Sequence, residues 1–220
     1  MDQEREKWQA LRDEYAENVG KSVVARLETR GYKARYAATA EEARQILFSL
    51  IPEEASVGIP GSATVRELGL MEALAKRGNR IYQHWDPALK AEEKAGRLKD
   101  ELNSDVFLSG SNAVTLDGAI VNIDGTGNRV AGLAWGDNRL IIVVGVNKIC
   151  RDVESALVRV RDVATPPNTQ RLKMTTPCAT TGFCSDCNSP QRACRAVLIL
   201  ERAPFGRDAH VIVVGETLGF

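Results

Sequence analysis

The sequence predicts a three-layer α/β fold around a mostly parallel sheet, and three observations carry that expectation. Strand-like and helix-like stretches alternate along most of the chain. The most apolar run, Leu140-Ile141-Ile142-Val143-Val144, has no polar face, as strands buried on both sides require. Glycine-rich polar loops follow several of the strand-like stretches, where an open α/β sheet keeps its ligands.

In chain order, Trp8, Leu11, Tyr15, Val19, Val23 and Leu27 recur every three or four positions and Gly31 follows. This predicts a long amphipathic helix over residues 1–31, set apart from an α/β domain over 32–220. The helix is read as packing on the body or against a second subunit, so a homodimer is one expectation. After an extended piece, Tyr32 to Tyr36, the pair Thr39 and Glu42 has capping-box spacing and opens a helix that ends before Pro52. Ser56 to Ile59 reads as a strand, Thr64 to Arg77 as one helix stopped by Gly78, Arg80 to His84 as a strand and Pro87 to Leu102 as a charged surface helix. Strands are expected at Asp105 to Leu108, Ala119 to Ile123 and Arg139 to Gly145, with a hairpin-like turn at Asp117-Gly118. A helix over Arg151 to Val163 is expected to end before Pro166 and Pro167. Periodicity then disappears through a cysteine-rich loop, 166–195, before two closing strands, Ala196 to Glu201 and His210 to Val214, joined through Pro204 and Gly206.

Twenty-nine Lys plus Arg balance 29 Asp plus Glu, and a net charge of zero lacks the basic excess that a nucleic-acid binder needs. Hydrophobic residues at 44% and charged residues at 26% are ordinary globular usage, so a packed core is expected rather than a disordered chain. No stretch approaches the roughly 18 consecutive apolar residues of a membrane span, and the charged segment Met1 to Arg12 does not read as a signal peptide. A cytoplasmic protein is expected. In that reducing compartment five cysteines point to metal ligands or reactive thiols rather than disulfides.

Four of the five, Cys178, Cys184, Cys187 and Cys194, form C-x5-C-x2-C-x6-C. Thiolates held together repel one another unless a cation sits between them, and tetrahedral zinc or an iron-sulfur cluster supplies that cation. Arg171, Lys173, Arg192, Arg195 and Arg202 would offset the negative charge left on either kind of site. The spacing matches neither the bacterial ferredoxin run nor the paired knuckles of a zinc ribbon, so both metals stay open beside the blander alternatives of a redox disulfide or unligated thiols. Cys150, read at the start of a helix, is taken as a small buried hydrophobe.

Gly58-Ile59-Pro60-Gly61-Ser62-Ala63-Thr64 lies between a strand and a helix. Gly58 and Gly61 allow close backbone approach, while Ser62 and Thr64 offer hydroxyls beside free N–H groups; an ordinary capped turn and an anion cradle are both open readings. The loop lacks the lysine of a P-loop, and no G-x-G-x-x-G is present, so nucleotide binding by those routes is unsupported. Ser111 and Asn112 after one strand, Asp124-Gly125-Thr126-Gly127-Asn128 after another and Lys148 after a further one have the composition of a carboxylate or phosphate site. The competing reading is that glycine and asparagine serve left-handed turns and that Asp124 caps a helix. His84 falls at a strand end within reach of the same rim, yet it and His210 are both read as structural.

The stretches SGSNAVTLDGAIVNIDGTGNRVAGLAWGDNRLIIVVGVN (109–147), TPCATTGFCSDCNSPQRAC and VIVVGETLGF resemble the LUD-domain proteins, the lactate-utilisation family formerly known as a domain of unknown function. The resemblance runs from about Glu14 to Phe220. It implies a fold like that of the ribose-phosphate isomerase, glucosamine-phosphate deaminase and CoA-transferase superfamily, and a link to lactate oxidation alongside iron-sulfur electron-transfer subunits. The GSNAVTLDG…VNIDGTGN pattern is also similar to methylthioribose-phosphate isomerases and related initiation-factor subunits. Those commonly carry an Asp after Gly-Ala in the first loop, where this chain has Asn112 after Ser111, which weighs against isomerase chemistry. No Glu stands in the setting that CoA transferases use.

Two functions follow as expectations. In the first, the four cysteines hold an iron-sulfur cluster of the four-iron type, the Gly61 and Asp124 loops bind a small carboxylate, and the chain works in electron transfer with redox partner subunits, as an oxidoreductase component of lactate oxidation. In the alternative, the chain is a phosphosugar- or carboxylate-binding isomerase-like enzyme or sensor with a structural zinc site.

Overall fold

The computed structural model describes residues 2–220. In chain order the elements are α1 (Asp2–Thr29), β1 (Lys33–Ala37), α2 (Ala40–Leu50), β2 (Ser56–Gly58), α3 (Ala63–Glu67), α4 (Leu70–Lys76), β3 (Arg80–Tyr82) and α5 (Ala91–Leu102). Next come β4 (Val106–Gly110), β5 (Ala113–Thr115), β6 (Ile120–Asp124), α6 (Asn128–Ala134), β7 (Arg139–Gly145), β8 (Ile149–Cys150) and α7 (Val153–Arg159). A π-helical turn, Val160–Ala164, leads into α8 (Thr165–Arg171), followed by α9 (Pro177–Thr181), β9 (Ala196–Leu200) and β10 (Ala209–Val214).

Six strands form one sheet in the order β1-β10-β7-β4-β2-β3, and every pairing in it is parallel. The apolar run of β7 lies beside β10, with Val143 opposite Ile212. Its side chains alternate between two cores: Ile141 and Val143 join Leu47, Leu70 and Leu74 of α2 and α4, whereas Leu140, Ile142 and Val144 join Val23 and Leu27 of α1 and Leu133 of α6. The parallel α/β expectation therefore holds. A second sheet, β8-β5-β6-β9, adds to it: Val114 and Ile120 pack into the α1 side of the core, while Ala113, Val121 and Ile123 face Ala156 of α7 and Val160.

The sequence reading needs correction at several points. Thr64 to Arg77 is two helices, because Gly69 adopts φ 60 between them, a left-handed conformation that only glycine holds cheaply. Pro166 and Pro167 do not end the preceding helix but sit in the first turn of α8, where their missing N–H groups cost little. The π turn makes the junction, since the Thr165 hydroxyl donates to the Val160 carbonyl at 2.7 Å. The two closing strands are not neighbours: β9 pairs antiparallel with β6 in the small sheet, and β10 lies between β1 and β7. Cys150 lies in β8 rather than in a helix, and its buried place in the core agrees with the hydrophobe reading. The Asp117-Gly118 turn does join an antiparallel pair, β5 and β6, with Gly118 at φ 90. In α1, Val23 and Leu27 are buried as the stripe predicts, while Trp8, Leu11 and Tyr15 are exposed.

At the amino-terminal end of the sheet, Asp208 ties three strands together. It accepts from Lys33 Nζ at 2.7 Å and Arg139 Nε at 2.6 Å, and lies 2.9 Å from His210 Nε2. Burial works against its charge, yet these donors and cations hold its carboxyl well below the usual carboxylate range. His210 is thus structural, and burial pushes its imidazole down.

Phe107 of β4 is among the largest fully buried side chains, and its ring fills the space left by Gly132, where an added Cβ would come within 2.3 Å of it. Phe107→Ala is expected to destabilise by about 3–5 kcal/mol and Gly132→Ala by about 1–3 kcal/mol, measured by urea unfolding.

Candidate functional site

Parallel strands in one sheet bring their carboxyl ends together, and here the loops after β2, β3, β4 and β7 surround a polar cavity of about 400 Å³. Gly61, Ser62, Thr64, Ser111, Asn112, Asp124, Gly125, Thr126, Asn128 and Lys148 all line it. Gly58 and Gly127 do not. A Cβ on Gly58 would lie 2.0 Å from the carbonyl oxygen of Glu101, so this glycine admits the end of α5 against β2. Gly127 precedes α6 at φ 93, where it serves the turn.

The first loop is built by shared hydrogen bonds. Ser62 Oγ accepts from the backbone N–H of Val65 at 3.2 Å, capping α3, and from that of Gly110 at 3.0 Å, which anchors the loop to the end of β4. Asp124 likewise spends its carboxylate on backbone, accepting from Gly125, Arg129 and Val130, so the helix-capping reading of this residue is correct. Asn112 Oδ1 accepts from Ile123 N–H at 3.0 Å and from Arg129 Nη2 at 2.9 Å, while the Ser111 hydroxyl donates to Ala113 O at 2.8 Å. These polar residues brace the rim through one another.

Positive charge is what remains to act on a ligand. Lys148 is only 3% exposed, and its Nζ donates to Thr64 Oγ1 at 2.7 Å and to the Ser111 carbonyl at 3.2 Å. Burial, then the charges of Arg159 and Arg129, push the amine down to about 7, with Glu67 pulling weakly the other way. Arg129 lines the cavity beside it and is lowered by burial against the opposing pull of Asp124. An anion entering here would relieve this crowding of cations.

Elsewhere in the lining, His84 Nδ1 lies 2.7 Å from Oε1 of Glu101, a carboxylate with no solvent exposure. Asn128 Nδ2 donates to Oε2 of the same carboxylate at 3.3 Å. Trp85 packs over Gly61, where a Cβ would come within 2.6 Å of its ring, and the guanidinium groups of Arg66 and Arg171 stack on it at 4.7 and 4.1 Å.

The cysteine-rich segment closes the cavity from outside. Cys178, Cys184, Cys187 and Cys194 line one small space of about 20 Å³, and Thr165, Arg192 and Ala193 border both this space and the large cavity. Thr169 and Thr176 hydroxyls lie 3.5 and 3.4 Å from Cys178 Sγ, and the Thr165 hydroxyl lies 3.5 Å from Cys194 Sγ. The N–H of Asp186 donates to Cys184 Sγ at 3.4 Å. Burial raises the Cys194 thiol, and the neighbouring Cys184 and Cys178 add to the rise, against Thr165 and Arg192. Arg192 holds the loop's backbone, donating to the carbonyls of Cys194 and Cys187 while it pairs with Asp186. All four thiols are free, and among the described residues no three His, Cys, Asp or Glu side chains are arranged to hold a metal ion.

The family model for the LUD domain matches residues 20–214, nearly the whole of this α/β body with its cysteine segment. The chain belongs to the LUD-domain family. Membership associates it, at the level of the family, with lactate utilisation. A solved structure, that of a DUF162 family protein from Deinococcus radiodurans, shares the fold with a TM-score of 0.52 at 15% identity, covering 90% of this chain and 98% of that one. No curated protein matches the sequence. Among the described residues no helix is long and apolar enough to cross a membrane.

Within this LUD domain the sequence reading passed over Glu101, Trp85, Arg66 and the threonines of α8. Glu101 had one available signal: it follows Leu98 by three and precedes Leu102, on the apolar side of an otherwise charged helix. Nothing in the local sequence foretold that Arg171 would reach Trp85.

Lys148 gives the LUD domain a testable pH dependence. Its folded value, about 7, lies below the ordinary 10.5, so between those limits the unfolded chain binds the proton more tightly and stability rises with pH. Lys148→Met is expected to remove that rise, seen as a smaller gain in unfolding free energy between pH 7 and pH 9 than in the wild type.

Proposed function

We propose that this LUD-domain chain holds a small 2-hydroxy- or 2-oxo-carboxylate in the cavity and that Cys178, Cys184, Cys187 and Cys194 carry an iron-sulfur cluster in its wall. The observation that carries the reading is the shared border: Thr165, Arg192 and Ala193 touch both the cysteine space and the cationic cavity. Lys148 and Arg129 supply positive charge for a carboxylate, and Asn112 and Thr64 supply polar edges that orient it. The donor set is soft, four sulfurs, and the nearby carboxylates are engaged: Asp186 pairs with Arg192 and Asp162 accepts from the Cys184 N–H. Hydroxyls from Thr165, Thr169 and Thr176 and the Asp186 N–H lie where they would stabilise thiolates. Bound there, such a cluster supplies one-electron transfer, and family association with lactate utilisation points to iron-sulfur partner subunits as its electron acceptors.

A second reading is favoured by one dimension of the site. The cysteine space, about 20 Å³, is close to that of a single water-sized occupant, which suits one tetrahedral zinc ion that clasps the loop.

Protein expressed and purified without oxygen is expected to contain about four irons and four acid-labile sulfides per chain, lost in Cys178→Ala and Cys194→Ala. One zinc without sulfide selects the clasp. In thermal unfolding, lactate or pyruvate at about 100 times Kd is expected to add about 2.7 kcal/mol of stability, and Lys148→Met to weaken that binding by about tenfold or more. A shift with sugar phosphates and none with these acids would overturn the carboxylate assignment.

A further inference from the structure

A fully buried carboxylate demands a partner, since an ionised group without one is too costly to keep out of water. Glu101 has two side-chain partners, His84 and Asn128, and both of them line the cavity while Glu101 itself does not. Its place behind them is prepared by Gly58: the absent side chain lets the last turn of α5 close against β2, with the Glu101 carbonyl where a Cβ would otherwise stand. The glycine that the sequence suggested as a ligand contact thus seats the carboxylate that addresses the cavity from behind.

The imidazole is oriented from two directions. Nδ1 meets Glu101 Oε1 at 2.7 Å, and the adjacent Trp85 ring stands edge-on at 6.0 Å with an interplanar angle of 75°. Trp85 is itself fixed by Gly61 and by the stacked Arg66 and Arg171. A carboxylate is acceptor-only, and this one also accepts from the Asn128 amide, so it takes the Nδ1 proton and leaves Nε2 as the acceptor of the neutral ring. Nε2 has no hydrogen-bond partner among the described residues, and the ring borders the cavity.

We propose that His84 is a proton-transfer residue of the cavity, positioned by Glu101, with Nε2 facing the C2 oxygen of a bound 2-hydroxy or 2-oxo acid. The identity of that ligand rests on the carboxylate reading above; the orientation of the pair does not. The C2 hydroxyl gives its proton to Nε2: the O–H bond breaks, the Nε2–H bond forms, and the imidazolium is balanced by the Glu101 carboxylate. The step moves one proton and no electrons, and its reverse returns the proton to an alkoxide oxygen. Lys148 and Arg129 hold the acid's carboxylate, which divides the work between anion-binding cations and a proton-handling imidazole in one cavity.

Two measurements test this. The chain has only two histidines, so long-range 1H–15N NMR resolves both, with His84→Gln providing the assignment. Neutral His84 is expected as the Nδ1–H tautomer, the minor form of free imidazole side chains, and Glu101→Gln is expected to shift it towards Nε2–H. An Nε2–H tautomer in the wild type overturns the proposal, and this outcome stands even where Glu101→Gln fails to fold. Calorimetry then compares lactate with propionate, which lacks the C2 oxygen. Wild type is expected to prefer lactate by about tenfold or more and His84→Gln to lose that preference while retaining propionate. Equal binding of both acids by the wild type overturns the role of His84 and leaves the carboxylate reading intact. Binding of neither removes the carboxylate reading and the ligand assignment of His84 together, while the tautomer still decides whether Glu101 positions the ring.

Discussion

Burial of β7 and β10 on both faces is the constraint on which the other arrangements depend. With Leu140 to Val144 and Val211 to Val214 excluded from water, these two central strands carry no polar side chain along those stretches. Polar groups collect at the two strand ends instead, and the ends differ. At one, Asp208 gathers Lys33, Arg139 and His210 into a closed set in which charge is matched by charge. At the other, Lys148, Arg129 and Arg159 gather with only partial compensation from Asp124 and Glu67, while Glu101 is committed to His84 and Asn128. One end of the sheet is thereby a fastening and the other an opening for an anion.

The cavity also depends on an element remote in sequence. Arg171 of α8 and Arg66 of α3 both stack on Trp85, so the cysteine segment is joined to the first loop through an aromatic ring. The backbone N–H of Arg195 donating to Asp124 O at 3.0 Å makes a second join, to the end of β6. Loop 166–195 is therefore part of the container rather than an appendage to it.

Much of this was legible in the residues. Two-sided apolar runs announced the parallel strands, and loops rich in Gly, Ser and Asn after them marked most of the cavity rim, including Lys148 beyond β7. Long-range pairing was not legible. The strands β9 and β10 follow each other closely, yet β9 completes the small sheet beside β6 and β10 enters the centre of the large one, a choice made by which partners bury their faces. Short strands such as β5 and β8 carry too few residues for a period to show. Glu101 was nearly hidden for a similar reason: on a helix of exposed charges, only its place beside Leu98 and Leu102 hints at its burial.

The π turn at Val160–Ala164 has a consequence for how this chain can vary. A π turn holds one residue more than the α-helical turn it replaces, and one residue rotates everything downstream by about 100° around the helix axis. Thr165 and Thr169 meet the cysteine sulfurs, and Arg171 meets Trp85, only at the present rotation. Loss of a single residue here would carry all three side chains away from their partners while leaving the helix itself intact. Homologous chains that keep the cysteine segment should therefore differ in this stretch by substitution and conserve its length, whereas the exposed tip at Phe205 and Gly206, between anchored neighbours, is free to grow or shrink.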